Sequence, residues 1–208
     1  MLDVMAQAKN AIEAYNNALR VTSSNIANMN VPGYKRMDVS FQSIFEKILS
    51  QGTAAGSDMG GTNPYQFGSG MSISGVSVDF SQGEMVTATP LDLSISGAGF
   101  FILSPDGGNS YLHSKAGYFQ IDASGNLLSN GLQVYGFNSS GNVAPITGLP
   151  SGNKQDYQWL ADGRLQYTAD GGYTYNDTGY SIALTYFPNP TGLAQAQGTS
   201  FAETLASG

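Results

Sequence analysis

Few residues in this chain are of the types that do chemistry. His113 is the only histidine, and there is no cysteine among the 208 residues. Thiolate nucleophiles, disulfides and Cys/His metal sites are therefore excluded together. His113 stands in a strand-like run with Tyr111 and Lys115. A Ser-His-Asp arrangement could use it, but no G-x-S-x-G elbow is present. The run predicts an ordinary strand histidine instead. Asp162, Asp170 and Asp177 could hold Ca²⁺ only through carboxylates, and their spacing does not follow an EF-hand loop. Asp at the start of a turn is the simpler reading. Gly68-Ser69-Gly70 and Gly97-Ala98-Gly99 precede neither a helix start nor a P-loop lysine, so they do not read as phosphate cradles. The expectation is no catalytic residue, no cofactor and no metal. That points to an interaction or structural protein.

The elements that carry these residues fall into two kinds. The first 50 residues contain one Gly, and the other 158 contain 26. Five bases face four acids up to residue 50, and three bases (Lys115, Lys154, Arg164) face eleven acids after it. The whole chain has a net charge of −7 and a pI near 4.4, which argues against nucleic acid. No run of about 18 apolar residues marks a membrane span. The sequence predicts a helical arm over residues 1–50, a flexible Gly/Ser/Thr-rich linker over 51–70, and a β-rich body over 71–208.

The arm carries a heptad. Met5, Ile12, Leu19 and Ile26 are seven apart, and so are Ala8, Tyr15, Thr22 and Met29, offset by three. This is an a/d seam with one polar member, Thr22. A strict 3.5-residue period predicts a helical partner. No second stretch offers a comparable seam. Residues 39–49 are apolar at helical spacing but too short to match. The partner is expected in another chain, or in a segment beyond this one. The helix should end near Met29 or Asn30, since Pro32 drives Val31 out of helical geometry and Gly33 permits a tight turn.

The body reads as mainly β, an antiparallel meander or a small barrel-like sheet. Met71 and Ile73 alternate in one phase and Val76, Val78 and Phe80 in the other, which predicts a β-bulge at Gly75. Turn dipeptides recur at Asp106-Gly107, Gly125-Asn126, Gly141-Asn142, Gly152-Asn153, Asp162-Gly163 and Asp170-Gly171. Strands are predicted at 109–113, 117–122, 126–129, 132–137, 157–160, 164–168, 173–175 and 180–187.

Longer motifs then become recognisable. Residues 23–36, SSNIANMNVPGYKR, resemble the N-terminal signature of bacterial flagellar rod and hook proteins. FGSGMSISGVSVDFSQGEMVTATPLDLSISGAGFFIL (67–103) resembles a second signature of that family, and residues 111–136 and 185–208 look like its continuation and its exit from the β domain. The resemblance implies a structural subunit, not an enzyme. It implies export through the flagellar type III apparatus to the basal body, in the periplasm or outside the envelope. Copies of the chain and neighbouring rod or hook subunits would be its partners, stacked into an axial tube that transmits torque, with no nucleic acid and no metal. Assembly residues implied by seam and signature together are Met5, Ala8, Ile12, Tyr15, Leu19, Asn25, Ile26, Asn28, Met29, Gly33 and Tyr34. Family members continue into a second long helix that pairs with the first, so a further segment is expected after Ala206-Ser207-Gly208. The short run from Gly136 to Ile182 leaves no room for the outer domain of long hooks, which favours the distal rod. The alternatives are a hook protein of the short type, and a secreted β-rich carbohydrate-binding or hydrolytic protein.

Overall fold

The structure, a computed structural model, describes every residue except Met1, Phe45, Asp58, Ser69, residues 86–88 and Ser151. It divides into two compact units, Met1–Met29 with Arg36–Asp79, and Asn30–Lys35 with Phe80–Gly208.

The first unit holds the one α-helix, α1 (Leu2–Ala27). This stretch is rich in Ala and free of Gly and Pro, so propensity alone favours it. The strands β1 (Met37–Ser43), β2 (Glu46–Ser50), β3 (Tyr65–Gly68) and β4 (Met71–Val78) follow. β1 pairs with β4 and β2 with β3, both antiparallel. The chain between 39 and 50 is therefore strand where apolar spacing resembled a helix. Met37, Val39 and Phe41 also alternate, and pairing with β4 satisfies the backbone that a short isolated helix would leave to water. Phe45 of that run lies outside the described residues. Part of the expected linker is also paired: β3 lies within it, and Thr53 bridges Thr62 with the two hydroxyls 2.9 Å apart. Backbone pairing needs no side-chain periodicity, so composition could not announce it. The bulge is present. Ser40 faces Gly75 and Phe41 faces Ile73, leaving Ser74 as the extra residue beside the glycine.

The second unit is a sheet of β5 (Gly99–Ser104), β6 (Leu112–Ser114), β7 (Gln120–Ile121), β8 (Leu127–Ser129), β9 (Leu132–Phe137), β10 (Val143–Pro145), β11 (Tyr157–Trp159), β12 (Arg164–Tyr167), β13 (Asn176–Ile182), β14 (Leu184–Tyr186), β15 (Ala194–Gln195) and β16 (Ser200–Ala202). The main order is β11-β12-β13-β9-β5-β6-β16-β15. β10 and β8 add to β9, β7 to β8, and β14 to β5. Every pairing among the described residues is antiparallel, and the sheet does not close into a barrel. Leu91, Phe101, Leu103, Phe119, Leu127, Val134, Tyr157 and Leu165 form the core. A second cluster stacks Phe80, Phe100, Phe187 and Phe201 edge to face.

Turns repeat in chemical detail. Asp106 Oδ1 accepts from the Ser104 hydroxyl and from the N–H groups of Asn109 and Ser110. Asp170 Oδ1 does the same with Thr168, Tyr173 and Thr174. Both loops read Ser/Thr-x-Asp-Gly-Gly-x-Ser/Thr, and Gly107 and Gly171 take the left-handed φ that follows the Asp. Residues 173–175 therefore lie before β13 rather than forming a strand. Ser151 lies outside the described residues, and its neighbour Gly152 is not left-handed but crowded by Asp156 and Tyr167.

Asp92 is the buried polar hub. Its Oδ2 accepts from the Thr89 N–H and hydroxyl at 3.0 and 2.6 Å, and its Oδ1 from the Phe119 N–H at 2.9 Å. Lys154 Nζ lies 3.7 Å away, over the Tyr118 ring. Burial pushes the carboxyl up, but the Thr89 and Phe119 hydrogen bonds and the Lys154 charge outweigh it and hold the group below 3.8. Its stabilisation is therefore present above that value and is lost as pH falls through and below it. Asp92→Ala should lower the stability of this unit by about 3–5 kcal/mol, because Lys154 and three donors lose their acceptor together. Chemical denaturation at neutral pH measures this.

Candidate assembly interface

α1 carries a second heptad beside the seam of large apolar residues. Ala11, Ala14, Ala18, Val21, Asn25 and Asn28 also follow the a/d spacing. This second stripe faces β1 and β4. Ala14 is 5% exposed, and the others are half-buried. Small side chains let the helix approach the two strands closely. Gln7, on the same side, donates to the Gly68 carbonyl at 2.6 Å. The signal was legible as alanines at i, i+3 and i+7, but the larger residues of the first seam outweigh them in any hydrophobic reading.

The first seam is turned outward. Met5, Ala8, Ile12, Tyr15, Leu19, Ile26 and Met29 are all exposed, Leu19 by 62% and Met29 by 73%. Thr22, its polar member, donates its hydroxyl to the Ala18 carbonyl at 3.0 Å, so the stripe carries no unsatisfied hydroxyl. At about 100° per residue, the two stripes lie roughly a third of a turn apart. Tyr15 sits at the border and reaches Phe41, with ring centroids 5.8 Å apart. Tyr15 and Thr22 aside, the stripe presents apolar side chains to solvent among the described residues. Such a surface is uncommon on a monomer.

The signature residues do different work. Asn25 donates from Nδ2 to the Met37 carbonyl at 2.8 Å and accepts the Met37 N–H at 3.0 Å. It clamps the first residue of β1 to the helix. Asn28 donates its side-chain amide to the Ser24 carbonyl at 2.8 Å, beside its own backbone N–H at 3.1 Å, and so doubles the last bond of the helix. Tyr34, half-buried, donates its N–H to the Val31 carbonyl at 3.1 Å across Pro32 and Gly33. Gly33 has φ +76°, and a Cβ there would lie 2.4 Å from that of Ala116. Pro at the second position and a left-handed Gly at the third are the requirements of a type II turn. Asn25, Asn28 and Gly33 are thus engaged within the chain, while the seam residues other than Tyr15 are exposed.

The residues first considered for chemistry are dispersed. Asp162 and Asp177 both pair with Arg164, at 2.7 and 3.2 Å. Asp170 is taken up by its own loop. No group of three metal-ligating side chains occurs among the described residues. His113 lies in β6 against Phe187, with ring centroids 4.7 Å apart, and its Nδ1 has no hydrogen-bond partner. Burial holds the imidazole below its ordinary 6.5, opposed by the Glu203 charge.

Comparison with known proteins accounts for an exposed apolar stripe on a chemically quiet fold. Residues 5–35, the helix and the turn after it, match the family described as flagella basal body rod protein. The flagellar basal-body rod protein FlgG of Caulobacter vibrioides is 30% identical over 211 residues, covering 100% of this chain and 76% of that protein. The chain belongs to the flagellar basal-body rod and hook family. FlgG of Bacillus subtilis is 29% identical over 210 residues, with the same coverage. The flagellar hook protein FlgE of Helicobacter mustelae is 37% identical over 134 residues, 63% of this chain but 29% of the hook protein. Within this rod and hook family chain, the family match coincides with the two-stripe helix, the Asn25 clamp and the Gly33 turn.

Two outcomes follow from this placement. Asn25→Ala should cost about 1–3 kcal/mol, since the Met37 backbone loses both partners, whereas Leu19→Asp should change stability by no more than about 0.5 kcal/mol, being a surface change. Thermal melting of the two variants tests the contrast. For His113, the folded imidazole takes up its proton at lower pH than the unfolded one. Stability is therefore full above 6.5 and declines as pH falls through that value. Denaturation at pH 8 and pH 5.5 should show this loss, and His113→Leu should shrink it.

Proposed function

We propose that this protein is a structural subunit of the flagellar rod, most closely of the distal rod, and works in the basal body by polymerising into the axial tube that transmits torque. The observation that carries the reading is coverage. The rod proteins align over all of this chain and 76% of their own length, whereas the hook proteins align over 20–36% of theirs. The exposed seam of α1 supplies the contact. Each Leu, Ile or Met fully buried there contributes about 1.5–3 kcal/mol, so a few such side chains repeated along a filament are enough to drive association. Helices of neighbouring copies are the partners whose own 3.5-residue period matches it.

The same reading makes the protein a non-enzyme that needs no cofactor or metal and binds no nucleic acid. It reaches the basal body through the flagellar export apparatus. The helical arm is the axial assembly segment, and the β body is a scaffold that folds by itself. Asn25, Asn28, Gly33 and Tyr34 serve assembly indirectly, by fixing where the helix ends and where β1 begins.

The test is made in cells. A strain lacking the chain should not swim, and wild-type protein should restore swimming. Leu19→Asp should fail to restore it although the protein melts normally, because an aspartate buried in an apolar seam without a partner is costly. Asn16→Asp, off the seam, should restore it. Normal swimming with Leu19→Asp would sink the seam as the assembly contact.

A further inference from the structure

The second unit contains a cleft of about 320 Å³ that nothing above uses. Phe80 and Phe100 form its apolar wall, with Gly97, Ala98, Pro190 and the Lys115 stem around them. Lys115 is unusual among the bases of residues 51–208. Lys154 lies beside Asp92, and Arg164 pairs with Asp162 and Asp177. Among the described residues no carboxylate lies within ion-pair distance of Lys115. Its Nζ donates to the Gly97 carbonyl at 2.5 Å and lies 5.0 Å from the Phe100 ring centroid. Burial and the neighbouring Lys35 charge both press against its ammonium form. An anion arriving here would relieve that repulsion in a partly desolvated site, where attraction is stronger than in water.

The same unit carries a complementary knob. The loop from Thr168 to Thr174 projects Tyr173, 91% exposed. Beside it Asp170 accepts only hydroxyl and N–H donors of its own loop. No cation lies within ion-pair distance of it among the described residues, so the loop offers an aromatic ring with an uncompensated negative charge. The cleft offers the half-buried Phe80 ring beside a positive charge with no carboxylate partner among the described residues.

We propose that the Lys115 cleft of one copy receives the Tyr173 loop of a second copy. This rests on the reading that the chain self-assembles and adds where a second contact lies. Tyr173 would pack against the half-buried Phe80 ring, and the Asp170 charge would approach Lys115. Cleft and knob are different patches, so the contact is heterologous. It propagates from copy to copy instead of closing a pair, as a helical filament requires.

The chain has no cysteine, which makes the test clean. Gln82→Cys at the cleft and Ala169→Cys at the exposed base of the loop, placed in one chain in swimming cells and oxidised, should give a ladder of dimers and higher multiples. Either cysteine alone should give none. No ladder from the pair in swimming cells overturns the proposal. So does a dimer from Gln82→Cys alone, which would mean that clefts face each other. If the cysteine pair itself stops swimming, charge exchange decides. Lys115→Glu should abolish swimming while the protein still melts cooperatively, and adding Ala169→Lys, which leaves the Tyr173 ring in place, should restore it; failure to restore overturns the proposal. A strain lacking the chain that still swims would instead sink the assembly reading itself.

Discussion

One helix cannot bury two apolar stripes against one small sheet. Everything distinctive about this chain depends on how α1 resolves that constraint. Its inward stripe is built of Ala11, Ala14, Ala18 and Val21, with Asn25 below them. These side chains contribute little burial each, but they allow close approach and end in two hydrogen bonds to Met37. The outward stripe keeps the larger side chains, Met5, Ile12, Leu19 and Ile26. A monomer optimised only for its own stability would do the reverse, because large side chains gain the most from burial. The arrangement leaves the larger apolar side chains exposed and the small ones buried.

The β body solves a different problem, that of closing many short turns. Its turns are closed by their own side chains. Asp106, Asp122, Asn138 and Asp170 each accept backbone N–H groups two to four residues ahead. These bonds hold the Asp106 carboxyl down at about 2 and Asp122 below its ordinary range. Carboxylates committed in this way are poor candidates for acid–base work near neutral pH, where a catalytic acid needs a raised value. Asp170, which first invites a search for metal, is one of the residues that close these turns on themselves.

The sequence disclosed the parts of this design that are periodic. The seam of α1, the bulge beside Gly75, most body strands and the turn glycines follow from spacing. What stayed hidden was backbone pairing without side-chain rhythm, as in β2 with β3 and in the short strands β10, β15 and β16. Asp92 was also illegible, because its importance lies in Thr89, Phe119 and Lys154 converging from distant positions. The inward stripe was hidden for a different reason. Alanine carries so little hydrophobic weight that its heptad disappears beside Leu and Ile, although smallness is the property that makes it work.

The signature residues show why a motif and an interface need not coincide. Asn25, Asn28 and Gly33 stand within a run that marks the family, so they invite placement at the subunit contact. Each is instead committed to its own chain: Asn25 to Met37, Asn28 to Ser24, and Gly33 to a turn in which any Cβ would collide with Ala116. Their chemistry is that of fixing geometry. The clamp fixes where β1 starts against the helix, and the turn fixes the direction of the chain at Gly33. An apolar seam is tolerant of substitution because any side chain of similar bulk can fill it. A clamp that needs one donor and one acceptor in register, and a turn that needs a missing Cβ, are far less tolerant.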